Sequence, residues 1–152
     1  QETCVHLHRT LISIRDGGAK AGVALNPATP IETILGILPI IDLVVIMAVN
    51  PGFAGQKHIP ESAAKVARFN EKARKMKWKG LVQVDGGVNK KTAGDLVLAG
   101  ADCLVAGSAV FKRRSKAKAE DIKAYTKEVK QNIDDLRTAC RIAIESGLDP
   151  FK

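Results

Sequence analysis

The feature that most constrains the fold is a regular alternation of short apolar segments with helical patterns, repeated four times after an initial helix. The apolar segments are KAGVALN, DLVVIMAV, GLVQVDGG and CLVAGS. DLVVIMAV is apolar on both faces, as strands of parallel sheets usually are. The alternation predicts a parallel sheet with helices outside it, either a doubly wound sheet or a (β/α)8 barrel.

Two of the predicted helices carry long apolar stripes. One begins near Glu61 and is predicted to turn Val66, Phe69, Ala73 and Met76 toward the core. The last helix carries Ile122, Tyr125, Val129, Ile133, Leu136, Cys140 and Ala143 on one side. This second stripe fits either a coiled-coil seam or packing within the same domain. Packing within the domain is favoured because the stripe lasts only three heptads.

Length and composition predict a single domain over residues 1–152. Hydrophobic residues make up 45% and charged residues 26% of the 152 residues, which is typical of soluble globular proteins. No apolar run approaches the roughly 20 residues of a membrane span. The first residue is Gln1 rather than Met, so we expect a fragment. A cytoplasmic location is expected, with organellar targeting left open.

The net charge of +8 comes mainly from two stretches, Lys57 to Lys91 and Lys112 to Lys130. A basic face can attract nucleic acid or an anionic substrate. Both stretches are largely helical in pattern and have no interleaved aromatic residues for stacking on bases. We therefore interpret them as solvated helix surfaces and expect neither a nucleic-acid nor a membrane partner.

The cysteines and histidines do not form a metal-binding pattern. Cys4, Cys103 and Cys140 lack C-x-x-C spacing, which favours a reducing compartment over a zinc site. Cys103 lies in an apolar run and is predicted to be in the core. His6 and His8 are two apart on a helix and do not share a face, and His58 is interpreted as loop surface.

Small-residue loops follow three of the predicted strands. They are PGFAG after Val49, DGG at Asp85 and GS at Gly107. In phosphate-binding barrels, backbone N–H groups of the loops after strands seven and eight hold the anion. Glycine allows close approach of the backbone to a ligand. We therefore predict an anion site, with the glycines beside Phe53 typical of a lid.

Asp85 is the acid at a strand's C-terminal end in a site-facing position. Asp42 and Asp102 stand at strand beginnings, which in barrels form the face that serves stability rather than catalysis. Asp85 fits a base, a metal ligand or both, and a cap for the neighbouring helix is the structural alternative. A metal ion that polarises a carbonyl would make a carbon-bound proton removable by a carboxylate.

The ordered motifs HLHRTL, KAGVALNPATP, MAVNPGFAGQKHIP, VDGGVN and AGADCLVAGSAVF resemble the ribulose-phosphate 3-epimerase family, over about His6 to Phe111. The resemblance implies a (β/α)8 barrel that interconverts D-ribulose 5-phosphate and D-xylulose 5-phosphate at C3. It implies two aspartates that exchange a proton through a metal-stabilised enediolate. Asp85 would be one of them and also a ligand of one divalent ion, either Zn, Fe, Mn or Co.

The same resemblance implies the substrate-binding residues. Gly52, Phe53, Ala54 and Gly55 match the family's substrate-covering loop, and Gly86, Gly87, Gly107 and Ser108 match its phosphate-binding backbone. The implied ligand is a small phosphosugar, and the complete protein is expected to be a homo-oligomer.

Two departures from the family leave alternatives open. Ala54 stands where the family loop usually has glycine, which resembles relatives acting on a hexulose phosphate such as allulose 6-phosphate. The family's other acid/base aspartate and its metal-binding histidines lie on strands one to three, whereas this chain resembles strands five to eight. We therefore expect a partial barrel, the C-terminal portion, inactive alone. A non-catalytic phosphate-binding half-barrel remains an alternative, whereas barrel enzymes with a D-x-K-x-x-D motif are disfavoured because the motif is absent.

Overall fold

A four-stranded parallel sheet organises the residues that the computed structural model describes, 1–111 and 122–147. The strands lie in chain order: β1 (Gly22–Leu25), β2 (Leu43–Met47), β3 (Leu81–Asp85) and β4 (Cys103–Val105). The helices are α1 (Leu7–Asp16), α2 (Glu32–Leu35), α3 (Glu61–Lys75), α4 (Ala93–Leu98) and α5 (Ile122–Ser146), with a 3-10 turn at Leu38–Ile40. The predicted alternation of helices and strands is confirmed. No helix in these two ranges is both long and apolar enough to cross a membrane.

All five helices contribute to one core on a single face of the sheet. The strand residues on that face alternate with residues of the other face, as period-two geometry requires. Val44 and Ile46 of β2 are fully buried there. The packing side chains include one from each helix: Leu11, Ile34, Phe69, Leu96 and Leu136. Sequential parallel strands with helices on one face are consistent with part of a (β/α)8 barrel, since a doubly wound sheet has helices on both faces.

The opposite face of the sheet is not covered by any described helix. Its residues form rows across the strands: Ala24, Val45, Gln83 and Cys103 make one row, and Met47, Asp85 and Val105 make the next. Leu81 on this face is 53% exposed. Cys103 is also exposed, so the prediction that it lies in the core is wrong. The reason is that β4 is at the sheet edge and Cys103 lies in a row of the uncovered face.

Asp42 and Asp102 hold the amino ends of neighbouring strands together. The Asp42 carboxylate accepts the N–H of Ala21 at 2.8 Å and pairs with Arg15 at 3.0 Å. The hydrogen bond from Ala21, assisted by Arg15, lowers the pKa of Asp42 below its ordinary value. The Asp102 carboxylate accepts the N–H of Val82 at 2.8 Å. Their interpretation as structural residues is confirmed.

The two long helices differ from prediction only at their ends. Met76 lies beyond the end of α3 and is 47% exposed, so its predicted place in the core is wrong. Ile122, at the start of α5, is 61% exposed. The C-terminal part of α5 packs on α4, where a Cβ added to Gly94 would lie 3.1 Å from the Cβ of Ala143. This contact supports packing within the domain.

Asn70 joins α3 to the turn that leads into β4. Its side-chain amide donates hydrogen bonds to the carbonyl of Val66 on its own helix, at 3.2 Å, and to the carbonyls of Ala99 and Gly100, at 3.1 and 2.9 Å. Among the described residues, no backbone N–H donates to the carbonyls of Ala99 and Gly100, so Asn70 supplies their hydrogen-bond donor. Asn70 therefore fixes how α4 and β4 sit against the preceding helix.

We predict that Asn70→Ala lowers the free energy of unfolding by about 1–3 kcal/mol, because it leaves these carbonyls without donors. Asn70→Asp should be at least as harmful, because it keeps the shape but replaces the N–H donors with oxygens. Lys72→Ala, at an exposed position of the same helix, should change stability by less than about 0.5 kcal/mol. Urea denaturation followed by circular dichroism measures all three. Equal stability of the two Asn70 variants and the Lys72 variant would contradict this role.

Candidate functional site

The predicted acid lies at the carboxyl end of β3, on the uncovered face. Asp85 is half-buried, and its row neighbours are Met47 on β2 and Val105 on β4. Its backbone carbonyl accepts the N–H of Ala48 at 2.7 Å. No hydrogen bond to its carboxylate is found among the described residues. The sheet thus presents a carboxylate between two apolar side chains, available to a ligand at the edge where β2, β3 and β4 end.

Gly86 and Gly87 follow Asp85 in backbone conformations that side chains rarely adopt, with φ of 126° and 62°. A Cβ on Gly86 would lie 2.7 Å from the backbone nitrogen of Val49. One on Gly87 would lie 2.4 Å from the backbone nitrogen of His58. Both positions therefore require glycine, because their φ angles are positive and because a Cβ would clash with the neighbouring backbone. They let the turn after β3 press against both ends of the loop that follows β2.

The turns after β3 and β4 present backbone N–H groups side by side. No backbone hydrogen bond from the N–H groups of Gly87, Gly107 or Ser108 is found within the described part of the chain. The carbonyls of these turns are occupied instead: Gly87 accepts from the Asn89 side chain at 2.8 Å, and Gly107 accepts the Phe111 N–H at 2.8 Å. A Cβ on Gly107 would meet nothing within 4 Å. Free N–H groups beside open space can bind an anion.

The loop after β2 projects beyond the sheet edge and is tied to itself. Gly52, Ala54 and Gly55 are exposed, and Phe53 is 75% exposed. The Gln56 side-chain amide donates to the carbonyls of Asn50 at 2.6 Å and of Phe53 at 3.0 Å. The predicted covering residues thus lie together at the tip of one compact loop, above the same edge as Asp85.

His58 belongs to this site, although the sequence predicted a surface position. It is half-buried, and its Nδ1 lies 3.0 Å from the carbonyl oxygen of Gly86. Because a carbonyl only accepts, Nδ1 is the donor. The two residues are 28 positions apart, and no local pattern around His58 indicates the contact. The interpretation of His58 as loop surface is wrong.

The described residues do not make a complete metal site. No group of three His, Cys, Asp or Glu side chains within residues 1–111 and 122–147 is close enough to hold an ion. Asp85 supplies one hard oxygen ligand, whereas catalytic metal sites generally use about three protein ligands. His6 and His8 are exposed near the start of α1 and belong to no such group. Asp85 alone therefore does not make a metal site within the described residues.

One groove in the described residues does not include Asp85. It runs between β4 and α5, has a volume of about 930 Å³ and is lined mainly by apolar side chains, among them Leu104, Val110, Phe111, Leu136 and Ile144. Binding sites for small polar ligands need a few convergent polar groups. Charged side chains also line this groove, namely Asp102, Arg137, Arg141 and Glu145, but most of its surface is apolar and suits packing against other protein segments.

Comparisons with known proteins agree on one family. The sequence profile described as "Ribulose-phosphate 3 epimerase family" matches residues 1–111. The chain is similar to the ribulose-phosphate 3-epimerase of Bacillus subtilis, with 49% identity over 119 residues, 78% of this chain and 55% of the relative. It is 45% identical over 119 residues to the chloroplastic ribulose-5-phosphate-3-epimerase of Arabidopsis thaliana, covering 78% of this chain and 42% of the relative.

A third relative, the ribulose-phosphate 3-epimerase of Synechocystis, is 44% identical over 114 residues, 75% of this chain and 50% of the relative. The chain therefore spans about half the length of the curated relatives it matches. The family match includes Asp85, the loop after β2 and both N–H-bearing turns.

Proposed function

The chain belongs to the ribulose-phosphate 3-epimerase family, and we propose on that basis that it forms part of an enzyme that inverts C3 of D-ribulose 5-phosphate to give D-xylulose 5-phosphate. The observation that carries the proposal is that Asp85 and the glycine turns meet at one edge of the sheet, within the matched residues. A carboxylate beside an anion-binding surface suits proton transfer on a phosphorylated sugar.

In this proposal Asp85 gives or takes the proton at C3 on one face of the sugar. Met47 and Val105 flank it with apolar side chains, which would limit the access of water to the reacting carbon. Inversion requires a second acid/base group on the opposite face of the sugar. That group would come from outside the residues described.

The phosphate would be held by the N–H groups of Gly86, Gly87, Gly107 and Ser108. Gly52, Phe53, Ala54 and Gly55 would close over the substrate, because they form the exposed tip of the loop above the same edge. Binding the phosphate at a point remote from C3 would orient the sugar against Asp85.

A divalent ion, either Zn, Fe, Mn or Co, would use Asp85 as one of its ligands. When bound, such an ion stabilises negative charge on an oxygen next to the reacting carbon. The remaining ligands would have to lie outside the residues described, since these offer one carboxylate at the site.

We further propose that residues 1–152 form one domain that supplies strands five to eight of a (β/α)8 barrel, its C-terminal portion. The uncovered face with Leu81 and Val105 exposed supports this, as do the unpaired edges of β1 and β4. The front half of the barrel would cover that face and fill the groove between β4 and α5. The relatives are about twice as long as the matched part, which leaves room for such a half.

Ala54 favours one alternative, a hexulose-phosphate 3-epimerase. It is exposed at the tip of the proposed covering loop, where a larger residue than glycine would contact the substrate. The ratio of kcat/KM for ribulose 5-phosphate to that for allulose 6-phosphate, measured on the complete enzyme, distinguishes the two substrates.

We predict that Asp85→Asn in the complete enzyme lowers kcat by at least about 10²–10⁴-fold while the fold is kept. The amide keeps the shape of the carboxylate but cannot take the proton. A coupled assay for xylulose 5-phosphate measures the loss, and circular dichroism checks the fold. A folded variant that retains a tenth of wild-type kcat would rule out Asp85 as the acid/base.

We predict that Gly107→Val weakens ribulose 5-phosphate binding far more than binding of unphosphorylated ribulose. The branched side chain would occupy the open space in front of the turn and keep the phosphate from the backbone. Gly36→Val is the matched control, because Gly36 also has open space around a Cβ but lies at the end of α2. Calorimetric titration with both ligands measures the effect, and equal losses for the two would exclude a phosphate site at this turn.

We predict that residues 1–152 alone do not epimerise ribulose 5-phosphate and that they dimerise or aggregate. The described part of the site has one acid/base group, whereas inversion needs two. The exposed apolar face and the unpaired strand edges would associate with other chains. Gel filtration with the coupled assay tests both expectations. A monomer with enzymic turnover would show that the catalytic groups are misassigned.

A further inference from the structure

One side chain outside the proposed phosphate site, that of His58, forms a hydrogen bond with the backbone of that site. We propose that His58 is a positioning residue that aims the N–H of Gly87 at the substrate's phosphate. This inference rests on the proposed function, because it concerns a residue that orients the backbone of the same phosphate site.

The argument starts from the peptide unit between Gly86 and Gly87. The unit is trans and planar, so its C=O and N–H point in opposite directions. The carbonyl of Gly86 accepts a hydrogen bond from Nδ1 of His58 at 3.0 Å. The Gly87 N–H therefore points away from His58, which follows β2. The strand order places β4, with Gly107 and Ser108 after it, on the other side of β3.

The orientation of this peptide unit must be fixed by a hydrogen bond from another residue. Both of its residues are glycines, which populate positive and negative φ almost equally, so the plane can rotate at little steric cost. A rotated plane would present the carbonyl, and hence negative charge, to the phosphate. The His58 hydrogen bond makes that rotation cost a broken bond, and so favours the orientation that presents the N–H.

The backbone of His58 is held firmly enough to serve this purpose. The N–H of the next residue, Ile59, donates to the carbonyl of Ala48 at 2.8 Å, which anchors the segment to the end of β2. The close approach of Gly87 to the backbone of His58 leaves no room for a side chain between them. His58 also ends the loop that carries Phe53, so it connects the covering loop to the turn after Asp85.

The test compares three variants of the complete enzyme: His58→Ala, His58→Asn and Lys57→Ala. Alanine removes the donor, whereas asparagine places an amide N–H near the position of Nδ1. Lys57 is the exposed neighbour and serves as the control. We expect His58→Ala to raise KM for ribulose 5-phosphate and Kd for inorganic phosphate by roughly three- to tenfold, the loss of one hydrogen bond. The kcat and the affinity for unphosphorylated ribulose should stay near wild type, and His58→Asn should restore phosphate binding.

A merely structural role predicts a different outcome. It would weaken binding of phosphorylated and unphosphorylated ligands alike, and that result would overturn the inference. Unchanged phosphate affinity in a folded His58→Ala, or failure of His58→Asn to restore it, would also overturn it. Should His58→Ala not fold, His58→Leu, which is bulky but has no donor, takes its place in the same comparison.

Measuring inorganic phosphate separates this inference from the proposed activity, because phosphate binding requires no turnover. If phosphate affinity depends on the His58 donor but ribulose 5-phosphate is not epimerised, the positioning role stands and the proposed activity fails. If epimerisation occurs and the His58 variants bind phosphate as tightly as wild type, the positioning role alone fails.

Discussion

Parallel pairing of β2, β3 and β4 is the constraint on which the candidate site depends. Because the strands run in one direction, the turns that follow them all emerge at the same edge of the sheet. The register then sets Asp85 directly between Met47 and Val105. Residues far apart in the chain, such as Met47 and Val105, are thereby brought to one edge of the sheet. The opposite edge is left to structural contacts, where Asp42 and Asp102 accept backbone N–H groups.

The second requirement is close approach of backbone to backbone at that edge. Gly86 and Gly87 have no side chains, and the turn after β3 can therefore lie against Val49 and His58. This contact uses the Gly86 carbonyl and leaves N–H groups of the turn without partners in the described residues. A surface of unpaired donors next to a carboxylate is stable when it faces solvent or an anion, since buried donors without acceptors are costly. The absence of side chains at these glycines thus allows the close packing of the turn and also its proposed role in binding.

The uncovered sheet face sets the site apart from that of a closed domain. Apolar residues of β2, β3 and β4 lie beside Asp85 without a covering layer in the described residues. In a closed barrel such rows form the packed interior. A proton-transfer site at the end of these rows would gain a drier environment from whatever covers them, and a carboxylate in such an environment interacts more strongly with bound charges. The proposed reaction therefore depends on both the edge and the layer that completes it.

The sequence by itself determined the alternation of elements, the parallel sheet, and the place of Asp85 and the glycine turns at strand ends. These follow from local periodicity and turn chemistry, which a few neighbouring residues encode. Only the tertiary structure decided that Cys103 and Met76 are exposed, because exposure depends on which side of an edge strand is covered and on where a helix ends. It also decided that His58 contacts Gly86, since that hydrogen bond joins residues 28 positions apart whose meeting is set by strand register and not by any local pattern.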